Sequence, residues 1–374
     1  MKEGRGMQRK IVSVLAMCVF LVWSFVTSAL GEEVKTPPSL SLKEAVELGL
    51  RESRTIRLAE LSLKTQEVSY KEGRANLLLN PSVVSQLQLE NTWRSAQRGF
   101  VLKRMQLALE VEEAYYNVLK AERALTLAEE NLNRMEKQLE DVRTKFSLGM
   151  VAKIDVLRNE LEVDRAKLDV EKARSSLGLA QARLSALLGK GLEATFTLSS
   201  SLTFEPQPLD LSTCVAYALE HRPEVKEKEE ALALRKKEVE VLTSYTPALE
   251  REKARVNLSV AETELENTKE SIILEVRQKF SDLLSAQQNV PIAEKNVEVA
   301  RENLSIQKAR FDAGVITLLD LLDAQSSLYE AESNYLQAVF DYNVARAQFF
   351  NALGADLSER EKLTPQKGEG NKNG

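Results

Sequence analysis

Between residues 276 and 354 large apolar residues return every seven positions. Leu283, Val290, Val297, Leu304 and Phe311 make one row, with Ala286, Ala293 and Ala300 three places behind it. After Gly314 the pattern resumes with Leu321, Leu328, Tyr335, Tyr342 and Phe349, flanked by Ala324, Ala331, Ala338, Ala345 and Ala352. Upstream the same rhythm runs through Val118, Leu125, Leu132, Leu139 and Phe146, with Ala121 and Ala128, then through Val156, Val163, Val170, Leu177 and Leu184. A seven-residue apolar period predicts coiled-coil seams. One large row beside an Ala-rich row lets two antiparallel helices approach closely and imposes a left-handed supercoil. The pattern therefore predicts an all-α fold built from helical hairpins.

The two stretches are copies. Val111–Gly189 aligns with Val276–Gly354 at a constant offset of 165 without a gap, with 17 of the 79 pairs identical. Before them, LSLKEAVELGL at 40–50 matches LDLSTCVAYAL at 209–219. The expected layout is a first helical repeat over 32–189, a linker over 190–208, a second repeat over 209–354 and a disordered tail over 355–374. The linker carries the start of the strand-like stretch ATFTLSSSLTFEPQPLD at 194–210.

Within each copy the seam breaks at the same phrase, FSLGMVAKID from Phe146 and FDAGVITLLD from Phe311. Gly149 and Gly314 supply the positive φ that a tight helix reversal needs. Asp155 and Asp320 then fall in the first turn of the returning helix, where the helix dipole favours a carboxylate. Capping chemistry does not account for the apolar Met150, Val151, Val315 and Ile316 at such a tip. Pro81 and Pro247 mark the opposite reversals. The 65 residues from Pro247 to Phe311 would make a helix of roughly 97 Å, which Pro291 is expected to kink by removing a hydrogen bond.

Composition narrows the function. Arg9 and Lys10, an apolar run from Ile11 to Val26 and the small residues Ala29 and Gly31 read as an export signal over 1–31. Its removal takes away four Lys/Arg and one Glu and moves the formal net charge from −5 to −8, so nucleic acid is not an expected partner. Cys18 lies inside the signal and only Cys214 survives, which leaves no internal disulfide and no cysteine metal site. His221, the sole histidine, is expected to cap or solvate a helix end. No nucleophile, base and metal-ligand set stands out. The sequence reads as a non-enzyme without cofactor or metal.

An exported chain with two hairpin repeats, each bearing F-x-x-G-x-x-x-x-x-D at its tip, resembles the TolC-type outer membrane efflux family. GVITLLDLLDAQSSLYEAESNYLQA at 314–338 is similar to that family's second tip and returning helix. The resemblance implies a homotrimer forming a tapering helical tunnel, continued by a 12-stranded barrel, with an inner-membrane pump docking through a periplasmic adaptor. It implies that Phe146, Gly149, Asp155, Phe311 and Gly314 belong to adaptor-facing tips. It also implies that Asp320 and Asp323 match an acidic pair narrowing the channel; a solvated acidic flank is the alternative.

Two departures stand out. Ile316 occupies a position where the family often carries an Arg paired with the first-tip Asp. The barrel insertions are missing after NPSVV and TPALE, although QLQLENTW at 86–93 could supply one strand. Little or no β-barrel is therefore expected, membrane association stays open, and a non-conducting coiled-coil spacer or an adhesion protein of the cell envelope remains the alternative to a duct.

Overall fold

A computed structural model describes residues 39–79, 81–192 and 196–363. The expected export signal and residues 364–374 lie outside them. The described residues from Leu40 onward fall into one compact unit.

Each repeat is a short helix, a medium helix and two long ones. In the first, α1 (Leu42–Glu52) and α2 (Arg54–Leu79) lead into α3 (Val83–Ser147) and α4 (Lys153–Leu187). In the second, α5 (Leu211–His221) and α6 (Pro223–Glu240) lead into α7 (Ala248–Asp312) and α8 (Leu318–Leu353). Both α3 and α7 are 65 residues long. The seams read from the sequence are inside: Val118, Leu139, Val163, Leu184, Leu283, Val290, Leu321 and Tyr342 are all buried. Helix α7 continues as helix through Pro291. The missing N–H takes one bond from the ladder, while the neighbouring Val290, fully buried in the second-repeat core, holds the turn in place.

The duplication is visible in the backbone. Among the described residues only Gly149, Gly189, Gly314 and Gly354 have positive φ, between 70° and 77°, and they are two pairs at the repeat offset. All four end a helix the same way. The N–H after the glycine reaches back to a carbonyl five residues earlier, as in Met150 to Lys145 and Val315 to Arg310, both 2.9 Å. This doubly bonded ending satisfies carbonyls that the helix leaves open. The short helices start on side-chain caps. Ser41 and Glu44 close a reciprocal capping box on α1, and the Asp210 carboxylate accepts from the Thr213 N–H at 2.8 Å on α5.

The strands are minimal. β1 (Ser39–Leu40) and β2 (Thr197–Leu198) meet where Ser199 N–H donates to the Leu40 carbonyl at 3.1 Å. Tyr115, wholly buried, donates its hydroxyl to the same carbonyl at 2.9 Å. Beyond β2 the linker lies against α8: Tyr342 donates to the Glu205 carbonyl at 2.8 Å and Asn343 to that of Thr203 at 3.0 Å. The QLQLENTW segment at 86–93, open to a strand reading, is helical and belongs to α3. Its apolar residues continue the helix that Ser82 caps. Helices α2 and α3 are joined by residues 80–82 alone, and α6 and α7 by 241–247. Neither connection has room for a pair of membrane-spanning strands of about 9–11 residues each.

The expected disordered tail starts too early at 355. Ala355 is buried, a turn leads into α9 (Arg360–Leu363), and the Arg360 guanidinium grips the carboxylate of Glu112 with two bonds of 2.8 and 2.9 Å. Glu112 is 2% exposed, so the tail supplies the charge that a buried carboxylate requires.

Candidate functional site: the hairpin tips

The long helices are ordered side by side as α4, α3, α8, α7, with α6 between α3 and α7 towards the far end. The two repeats therefore meet through α3 and α8, and both hairpin reversals stand at the same end. A cluster of Met135, Leu139, Val142, Val163, Phe311, Leu318, Leu321 and Leu322 fills the space between the tips, with Val151 and Ile316 packed on its edge. Ile316 thus serves as an apolar wedge.

Phe311 is buried, whereas its counterpart Phe146 is 43% exposed. Phe311 packs in the tip cluster, and the Lys145 ammonium lies 4.1 Å from the centre of its ring and 2.8 Å from the Asp312 carboxylate. Lys145 and Asp312 join the tips of different repeats, a pairing not anticipated from the sequence. A signal was present: a basic residue precedes the Phe in both copies, Lys145 in one and Arg310 in the other.

Gly149 and Gly314 are exposed, and a Cβ built on either would meet nothing within 4 Å. What calls for glycine at both is the positive φ, not a close neighbour. Asp155 accepts from the Ala152 N–H at 3.1 Å, half of a capping box, because Ala152 has no side-chain oxygen to return the bond. Asp320 completes a full box with Thr317: its carboxylate takes the Thr317 N–H at 2.9 Å and the hydroxyl at 2.7 Å, and Thr317 Oγ1 accepts the Asp320 N–H at 3.3 Å. These bonds, the hydroxyl first, hold the Asp320 carboxyl below the usual carboxylate range. Asp323, three residues on, is exposed on the same face, while Leu318, Leu321 and Leu322 point into the tip cluster. The two carboxylates stand together and outward.

The remaining polar candidates have structural roles. His221 ends α5, with Nδ1 3.0 Å from the Tyr217 carbonyl and its ring stacked on Tyr217 at 4.0 Å. Cys214 is buried in the second-repeat core, and burial pushes its thiol up to about 11.

With two long-helix pairs, paired tip glycines and an outward acidic pair in place, comparison with known proteins is decisive. The family model for outer membrane efflux proteins matches residues 88–190 and 247–355. The chain belongs to that family. The matched spans cover most of α3 and all of α4, α7 and α8, and leave out α1, α2, α5 and α6. Outer membrane protein TolC of Escherichia coli (strain K12) is 21% identical, the alignment covering 88% of this chain and 71% of TolC. The alkaline protease secretion protein AprF of Pseudomonas aeruginosa is 23% identical over 65% of this chain and 60% of its own length. Among solved structures, the Campylobacter jejuni CmeC outer membrane channel superposes with a TM-score of 0.69 at 14% identity, covering 89% of this chain and 93% of CmeC. The open state of the Neisseria gonorrhoeae MtrE channel gives 0.68 at 18% identity, covering 84% and 89%. These likenesses establish the fold. The family is one of channel and transport proteins of the outer membrane.

Proposed function

We propose that the chain is the exit duct of a tripartite efflux or type I secretion system. It is a passive conduit closed from three copies, docked by its tips on a periplasmic adaptor and energised by an inner-membrane pump. The observation that carries this is a mismatch between the repeats. Residues buried where the first repeat meets the second have counterparts left bare at the open edges: Phe311 against Phe146, and Leu322, 7% exposed, against Leu157, 49% exposed. The edge helices α4 and α7 carry apolar stripes facing solvent, Ile154, Leu157, Leu161 and Leu168 on one and Ile292, Val299 and Ile306 on the other. The steps of seven within each are those of a seam without its partner. Joining the α7 edge of one copy to the α4 edge of the next is a head-to-tail contact, which closes into a ring. The number three comes from the family resemblance.

In such a ring Arg310 of one copy would cover Phe146 of the next, as Lys145 covers Phe311 within the chain. Asp320 and Asp323 from three copies would place six carboxylates around the entrance, concentrating cations. Sedimentation at micromolar concentration should give a trimer; monomer alone would defeat the reading. In single-channel recordings Asp320→Asn with Asp323→Asn should lower cation preference and weaken block by polyvalent cations. Unchanged selectivity in a conducting trimer would reduce the pair to capping and solvation. Bulky residues at Gly149 or Gly314 should impair adaptor docking more than folding. A trimer that never conducts would favour a spacer, the reading to which the short connection at 80–82 lends weight.

A further inference from the structure

The end of the helical unit opposite the tips is apolar and uncharged. Residues 75–89 contain no charged side chain, and neither do residues 241–249, in a chain that is 29% charged. These stretches hold the α2–α3 and α6–α7 reversals. The two reversals lie at the same end: Gln88, near the start of α3, donates to the Glu238 carboxylate, near the end of α6, at 3.5 Å. Asn91 follows by bonding the Glu230 carbonyl at 3.4 Å. Leu78, Leu79, Val83, Val241, Tyr245 and Leu249 stand out from this end, with Tyr245 95% and Leu78 84% exposed.

We propose that this end seats in the surface of a lipid bilayer. Apolar side chains with a Tyr among them and no charge fit the boundary between headgroups and acyl chains, where an amphipathic ring is at home. Backbone entering that layer has to bring its own hydrogen bonds, and four of the six N–H groups of residues 241–246 have them. The Val241 and Leu242 N–H groups bond the Lys237 and Val239 carbonyls, Thr243 N–H bonds the Thr246 hydroxyl at 3.1 Å, and Thr246 N–H returns to the Thr243 carbonyl at 3.1 Å. Pro247 has no N–H to satisfy. Among the described residues no helix is long and apolar enough to cross a membrane, and neither reversal has room for a pair of spanning strands, so the attachment proposed is interfacial. Charges flanking the bare stretches are of both signs, Arg74, Glu90, Glu240, Glu250 and Arg251, so the surface recognised is the neutral lipid interface itself. The inference does not rest on the duct reading, because a chain that never conducts can still bind lipid and a closed ring can fail to.

The test is flotation of the chain from Glu32 onward, the form left once the expected export signal is removed, with phosphatidylcholine vesicles. The unaltered chain should float. Leu78→Glu, Leu79→Glu, Tyr245→Glu and Leu249→Glu together should lower the vesicle partition coefficient at least tenfold while helicity by circular dichroism stays the same. A matched set at exposed positions elsewhere, Leu58→Glu, Leu61→Glu, Leu192→Glu and Leu274→Glu, should leave partitioning within twofold. Failure of the unaltered chain to float, or an equal loss in both sets, would overturn the proposal. So would an end set that changes only the sedimenting mass, which would assign this end to a second copy of the chain.

Discussion

Asn159 and Ala324 occupy the same place in the two repeats, the seventh residue of α4 and of α8, and both are buried. Ala324 closes the second tip with a methyl group. Asn159 is wholly inaccessible, and neither its amide nitrogen nor its oxygen has a partner. A buried amide without bonds is destabilising, and the second copy displays the remedy. Asn159→Ala should raise unfolding stability by about 1 kcal/mol, the gain from removing the stranded amide less a small packing loss. A denaturant midpoint that falls would show that Asn159 finds a partner.

Glycine substitutions should separate the two glycine pairs. At Gly149 a Cβ has open space, so Gly149→Ala should cost only the left-handed backbone, about 1 kcal/mol. At Gly189 a Cβ would lie 2.2 Å from the Glu52 carbonyl oxygen. Gly189→Ala must push α1 and α4 apart and should cost clearly more, read as a larger drop in melting temperature.

Removing the Arg360 guanidinium leaves Glu112 charged and enclosed. Arg360→Leu should therefore destabilise by about 3–5 kcal/mol. Adding Glu112→Leu should restore much of the loss, since two apolar groups of similar size replace the pair. A double-mutant cycle in urea measures the coupling.

Asp210 gives a prediction with a definite sign in pH. Bonds from the Ser212 and Thr213 side chains and the Thr213 N–H lower its carboxyl from 3.8 to about 2. The stabilisation this brings is fully present above the unfolded value and is lost as pH falls towards the folded one. The melting-temperature gap between the chain and Asp210→Ala should be constant above about pH 5 and narrow between about pH 4 and pH 2. A gap independent of pH over that interval would count against the cap.

The sequence carried most of the hairpin architecture because a seam repeats every seven residues and the repeat offset never changes. Val118, Val163 and Leu321 are buried as that period requires, and the tip glycines have the backbone that their place between seams demands. Contacts that join distant elements leave no such rhythm. The Arg360–Glu112 pair spans 248 positions, and the Tyr342 bond to the linker spans 137. Asp320 was legible as a helix-start carboxylate, but its commitment to Thr317 depends on the conformation of the turn. Lys145 was overlooked because its ring contact lies in the other repeat.

The separation between Glu112 and Arg360 also sets an order of assembly. Each long hairpin closes over neighbours in sequence, so its zipping needs only a short loop and can begin while the rest of the chain is still being delivered. The carboxylate of Glu112 then waits, hydrated, through the whole of the second repeat. Only when residue 360 arrives can it be enclosed, and the pair acts as the latch that shuts last. A chain truncated before that point would keep its hairpins and lose its clasp.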